Sequence, residues 1–106
     1  MREYIKTCIQ DSIDTKRRLY ENEELLDKIE AAATACITAY KAGGKVLACG
    51  NGGSASDAQH LVGELVGRYK IERFGIAAIA LNSNVAVMTA LGNDYSYDEI
   101  FSKQVR

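Results

Sequence analysis

Two short apolar runs restrict the fold of this chain most: "KVLAC" over Lys45–Cys49 and "GIAAIAL" over Gly75–Leu81, each followed by residues at helical spacing. Apolar runs of this length beside glycine suit strands buried on both faces, and strands that alternate with helices form parallel sheets. A glycine turn and a helix over 54–68 follow the first run. Helical stretches over 84–91 and 97–105 follow the second. The order β-α-β-α predicts an α/β fold, a Rossmann-like parallel sheet with helices on its faces in three layers.

Two helices are predicted upstream of the first strand. From Arg2 to Tyr20, Ile5, Cys8, Ile9, Ile13 and, less cleanly, Leu19 recur at helical spacing. The second helix begins at Asn22 or Glu23, carries Leu25, Leu26, Ile29, Ala32, Ala33, Cys36, Ile37 and Tyr40, and is stopped by Gly43-Gly44. Its acidic start and Lys41 near its end match the helix dipole. The chain thus divides into a helical segment, 1–42, whose apolar faces suit subunit packing, and the first part of an α/β domain, 43–106. Two strands are few for a parallel sheet, and the sequence stops within a helical pattern, "IFSKQVR". The sheet is therefore expected to be completed by further sequence or by partner chains.

Composition narrows the class. The 106 residues are 47% hydrophobic and 25% charged with a net charge of -1, the profile of one ordinary soluble domain. No apolar run approaches the roughly 20 residues of a membrane helix, and Met1-Arg2-Glu3 opens a charged amphipathic pattern rather than a signal peptide. The expected location is the cytoplasm, with no membrane partner. Nearly cancelling charges argue against nucleic acid as the main partner, and Lys16-Arg17-Arg18 reads as a solvated helix face. Cys8, Cys36 and Cys49 are odd in number, far apart and in apolar contexts, which predicts buried free thiols rather than disulfides.

The chemistry-bearing stretch is "ACGNGGSASDAQHLVGEL", Ala48 to Leu65. Gly50, Gly52 and Gly53 either permit a tight strand-to-helix turn or expose backbone N–H groups at a helix N-terminus to an anion or polar ligand. "GNGG" lacks the spacing of the dinucleotide fingerprint and the Lys-Ser/Thr of a P-loop. Ser54 or Ser56 suits the helix N-cap. His60 and Glu64, four apart, project from one helix face; by spacing alone they suit a surface pair, an acid–base pair or part of a metal site, since zinc takes three or four protein ligands. Their place beyond the end of a strand is where open α/β sheets bind ligands. Asn93 and Asp94 are placed just after a helix, where they either serve a turn or reach a polyhydroxylated ligand. Tyr95 and Tyr97 read as packing residues with polar tips, and Arg68 as the partner of an acid in preference to a phosphate contact.

Taken together, "CGNGGSASDAQHLVGELVGRYKIER", "AIAL" and "TALGNDYSYDEIFSKQVR" resemble the N-terminal half of the phosphoheptose isomerases, a branch of the sugar isomerase (SIS) domain family. The resemblance implies isomerisation of sedoheptulose 7-phosphate to glycero-manno-heptose 7-phosphate through an enediolate, towards the heptose of bacterial lipopolysaccharide. It implies that Asn51, Gly52, Gly53, Ser54, Glu64, Asn93 and Asp94 bind substrate. It also implies that His60 and Glu64 ligate zinc, one Zn2+ per subunit, and that Glu64 is the catalytic acid/base of a homotetramer with sites between subunits. The family's serine/threonine-rich phosphate loop, its later glutamine and histidine at the metal, and its second catalytic group have no counterpart in this sequence, and Asn84 stands where many members have aspartate. Two readings come from other classes: a non-catalytic SIS protein that binds the replication initiator, which "DEIFSKQVR" and "IALN" also resemble, and a sugar-phosphate-sensing module. Glu64 speaks against the first, where the carboxylate is typically lost; the helix-turn-helix that usually accompanies the second is not evident.

Overall fold

A computed structural model describes residues 1–105. Arg106, the last residue of the predicted 43–106 segment, lies outside the described residues. The chain splits into two compact units, Met1–Thr38 and the residues from Ala39 onward.

The first unit holds α1 (Arg2–Tyr20) and most of α2 (Glu23–Lys41), with the bounds that periodicity predicts. Glu3 in the first turn of α1 and Arg17 and Arg18 in its last complement the helix dipole. Asn22 Oδ1 accepts the Leu25 N–H at 3.0 Å and so caps α2. Lys16 donates to Ser12, Arg17 to Asp14 and Arg18 to Thr15, all on the surface, so the basic triplet is the solvated face expected of it. Ile5, Ile9 and Ile13 share one face of α1, and all three are exposed. Past α2 the chain turns at Gly43, whose φ is 79°, and Gly44 donates to the Ala39 carbonyl at 2.8 Å.

In the second unit β1 (Val46–Ala48) and β2 (Ala78–Ala80) pair in parallel, with Val46 opposite Ala78, Leu47 opposite Ile79 and Ala48 opposite Ala80. Both strands are shorter than the apolar runs that announce them, because a strand extends only as far as a neighbour supplies ladder partners. The last rung beyond the strands is the Leu81 N–H on the Ala48 carbonyl, 2.9 Å. The crossover helix α3 (Gly53–Val66) packs across both strands. Ala58 of α3, Ala80 and Leu81 are buried, as is Ile100, whose Cγ2 lies 3.9 Å from where a Cβ on Gly92 would stand.

Four expectations are corrected. Leu47 and Ile79, register partners on one sheet face, keep 40% and 47% exposure; two strands crossed by one helix do not bury both faces. Cys8 and Cys49 are exposed and Cys36 half-buried, although all three are free, since the apolar face of α1 and the end of β1 lack cover. The predicted helix over 84–91 becomes α4 (Val85–Asp94), so Asn93 and Asp94 lie in its last turn rather than after it. The predicted helix over 97–105 breaks into a 3₁₀ turn at Tyr97–Glu99 and α5 (Ser102–Val105). There Ser102 Oγ donates to the Glu99 carbonyl at 3.2 Å, taking an acceptor that a continuous helix would use. Among the described residues no helix is long and apolar enough to cross a membrane.

Asn84 Oδ1 accepts the Val87 N–H at 3.1 Å and caps α4. Asn84→Ala is expected to cost about 1 kcal/mol in urea denaturation, while Asn84→Asp, which can accept the same N–H, keeps the stability. Equal losses in the two variants would contradict the cap.

Candidate active site

The site begins where β1 ends. Gly52 is the N-cap of α3 with φ 56° and ψ -123°, a conformation that an L side chain would strain. A Cβ on Gly50 would collide with the Ser54 backbone, so the turn folds closely over the start of α3. This closeness changes the role expected of Ser54. Neither it nor Ser56 caps the helix; Ser54 Oγ accepts the Asn51 N–H at 2.9 Å and donates to the Asn51 carbonyl at 2.8 Å. The serine hydroxyl thereby holds both backbone polar groups of Asn51 and closes the turn. The N–H groups of Gly52 and Gly53 meet no acceptor among the described residues. They stand at the positive end of a 14-residue helix.

About two and three turns along α3 come His60 and Glu64. Burial of Ala58 against the sheet fixes which way the helix is rolled, and the two polar side chains remain accessible. His60 Nε2 lies 3.3 Å from Glu64 Oε1, with the side chains 78% and 38% exposed. At that exposure the pair adds little to stability. Chemically it offers one imidazole nitrogen and one carboxylate oxygen at adjoining positions, a donor set that zinc accepts. Among the described residues no group of three or more His, Cys, Asp or Glu side chains could hold a metal ion. The pair by itself offers two donors, fewer than the three or four protein ligands that zinc takes.

The backbone of this helix end is held by a residue that spacing does not single out. Arg73 Nη2 donates to the Glu64 carbonyl at 2.7 Å, and Nη1 donates to the carbonyls of Leu65 at 2.8 Å, Gly67 at 3.1 Å and Phe74 at 3.0 Å. These include carbonyls that a helix C-terminus leaves without partners, and the cation sits at the negative end of the dipole. The sequence signal was an arginine shortly past a helix end. Arg68 pairs with Glu72 at 3.2 Å on the surface, the acid partnership expected of it.

Two further tertiary links reach the turn. Asn82 Nδ2, just past β2, donates to the Ala55 carbonyl at 3.1 Å and ties the sheet edge to the first turn of α3. Tyr97 Oη donates to Asn51 Oδ1 at 2.6 Å. Tyr97 thus uses the polar tip expected of it, but at 62% residue exposure it packs little; Tyr95 lies under Lys103 Nζ, 3.4 Å from the ring centroid. Asn93 Nδ2 donates to Asp94 Oδ1 at 2.9 Å. Among the described residues neither bonds to the glycine turn or to His60 and Glu64. The structure thus joins Asn51, Gly52, Gly53 and Ser54 in one turn and His60 with Glu64 in one pair, and it brings Tyr97, Asn82 and Arg73 to them.

A parallel strand that ends in this glycine turn, feeding a helix with a His/Glu pair, defines an α/β domain whose polar turn lies where such sheets bind ligands. Residues 9–106 match the SIS domain, and the chain belongs to that family. Within it, the chain is 47% identical to the phosphoheptose isomerase of Sulfurimonas denitrificans, covering 99% of this chain and 54% of that protein. It is 48% identical to phosphoheptose isomerase 2 of Campylobacter jejuni, covering 97% and 51%. Among solved structures, the phosphoheptose isomerase from Francisella tularensis superposes with a TM-score of 0.88 at 40% identity, over 97% of this chain and 53% of that one. The Neisseria gonorrhoeae phosphoheptose isomerase gives 0.86 at 39%, over 99% and 53%. The chain spans about half the length of the curated relatives it matches.

Arg73→Met is expected to lower stability by about 1–3 kcal/mol and to speed amide exchange at the C-terminal end of α3. Arg68→Met should stay within about 0.5 kcal/mol, because its partner is on the surface. Equally small effects of the two would contradict the clamp.

Proposed function

We propose that this chain carries one side of the active centre of a phosphoheptose isomerase, which converts sedoheptulose 7-phosphate to glycero-manno-heptose 7-phosphate. The proposed setting is lipopolysaccharide heptose synthesis in the bacterial cytoplasm. The observation that carries the reading is the accessible His60–Glu64 pair, 3.3 Å apart on the helix that leaves the glycine turn, in a chain 47% identical to such an enzyme.

Asn51, Gly52, Gly53 and Ser54 form the substrate-facing turn, with Asn93 and Asp94 as further contacts. The free N–H groups of Gly52 and Gly53 support this, since they suit hydroxyl or phosphate oxygens. Ser54 is spent on the Asn51 peptide and sets the shape of the turn.

Glu64 is the acid/base. Its carboxylate takes a proton from C1 of the ketose; the C–H electron pair forms the C1–C2 double bond of an enediolate as the carbonyl oxygen takes up negative charge. The same carboxylate returns the proton to C2 while the O1 hydroxyl proton passes to the oxyanion on O2, so that C1 becomes the aldehyde and C2 a secondary alcohol. A positioned group of this kind contributes about 10²–10⁴-fold. Arg73 holds the Glu64 peptide while the side chain works. His60 and Glu64 fit as two ligands of one zinc ion per subunit, with the other ligands outside the described residues. Zinc supplies, when bound, a Lewis acid that polarises the sugar carbonyl. Assembly as a homotetramer with sites at subunit interfaces is supported by the exposed Ile5, Ile9 and Ile13 face of α1, which needs a partner surface. Retention of Glu64 beside His60 favours this reading over an initiator-binding protein or a sugar-phosphate sensor, neither of which needs a base there.

In the native protein, Glu64→Gln keeps the shape of the side chain and removes the proton acceptor. Turnover of sedoheptulose 7-phosphate should fall by at least about 10²-fold with the thermal midpoint retained, and a near-normal rate would overturn the assignment. Removing metal with a chelator should stop turnover and added Zn2+ restore it, while His60→Ala should retain less zinc by elemental analysis. Full activity in metal-free protein would remove zinc from the proposal.

A further inference from the structure

A primary amide has two unlike ends. Its oxygen only accepts and its nitrogen only donates, and half a turn about the terminal bond exchanges them. Which end a ligand meets at Asn51 therefore depends on what holds the other. The backbone of Asn51 is fixed independently: its N–H is on Ser54 Oγ, and its carbonyl accepts from Ser54 Oγ and from the Ser54 N–H at 3.1 Å. The side chain alone remains free to turn, and it is stopped by one bond, from Tyr97 Oη to Asn51 Oδ1 at 2.6 Å, across 46 residues of sequence. Asn51 Nδ2 donates to no protein acceptor among the described residues.

The polarity of that bond follows from phenol chemistry. An oxygen lone pair delocalised into the ring makes a phenol a better donor than acceptor, so it selects the amide oxygen. Tyr97 itself is placed from elsewhere. It opens the 3₁₀ turn that packs against α4, its carbonyl accepts the Ile100 N–H, and Ile100 is the most buried side chain described. At 62% residue exposure, Tyr97 is not held there by burial, and its hydroxyl makes the contact.

We propose that Tyr97 is a positioning residue: its hydroxyl holds the Asn51 amide with Nδ2 outward, so that Asn51 meets an oxygen of the sugar phosphate as a donor. The inference rests on the reading of Asn51 as a substrate contact. It extends the site to a residue from the segment after α4 and makes the glycine turn selective for acceptor atoms.

The test is a mutant cycle in the native protein with sedoheptulose 7-phosphate. Tyr97→Phe removes only the hydroxyl; KM is expected to rise about 3–10-fold, the range of one lost hydrogen bond, with kcat changed less than about twofold and the thermal midpoint kept. In an Asn51→Ala background Tyr97→Phe should do nothing more, because the group it positions is gone. Asn51→Asp, which still accepts from Tyr97 but has no N–H to offer, should bind substrate no better than Asn51→Ala. An unchanged KM in Tyr97→Phe, an equal rise in the Asn51→Ala background, or normal binding by Asn51→Asp would each overturn the proposal. If Asn51→Ala itself leaves KM unchanged, the substrate role of Asn51 fails. If Asn51→Ala raises KM and Tyr97→Phe does not, the role of Tyr97 alone is lost.

Discussion

The exchange of hydrogen bonds between Asn51 and Ser54 is the interaction on which the rest of the α/β unit depends. It closes the chain over Gly50 and Gly52 and starts α3 within a few residues of the end of β1. From that start the helical period decides everything downstream. Ala58 turns to the sheet, and His60 and Glu64 come to lie side by side on an accessible face. A later start by one residue would roll the helix by about 100° and carry the pair away. The two glycines are what make so abrupt a start affordable in backbone strain.

Apolar surface left uncovered is the second theme, and it connects packing to function. Leu47 and Ile79 pair across the sheet and stay half-open, and Ile5, Ile9 and Ile13 line an exposed stripe on α1. Parallel sheets are normally covered on both faces. The same openness marks the site, since His60 and Glu64 offer two donor atoms on an accessible helix face, fewer than the three or four protein ligands that zinc takes.

Much of this was legible in the residues. The bounds of α1 and α2 follow from periodicity and from local devices, Asn22 as a cap and Gly43 as a stop. The parallel α/β order followed from two apolar runs, but not the strand lengths, because periodicity registers apolar residues and not ladder partners. Burial of the cysteines is not legible for a related reason: it depends on what lies above a side chain. Within the site, the glycine turn and the His60–Glu64 pair are local and could be read. Tyr97 and Asn82 could not, since their partners, Asn51 and Ala55, are 46 and 27 residues away. The bonds of Ser54 to Asn51 in place of a helix cap could not be read either, because the closeness of the turn is a property of the folded backbone.

The central claim is that proton transfer at Glu64 makes this SIS domain part of an isomerase and not only a sugar-phosphate binder. The most direct measurement is incubation of the native protein with sedoheptulose 7-phosphate, followed by proton and phosphorus NMR. Anomeric signals of glycero-manno-heptose 7-phosphate are expected to grow in until ketose and aldose reach equilibrium. Ligand-induced shifts of protein signals with no new sugar appearing would contradict the claim.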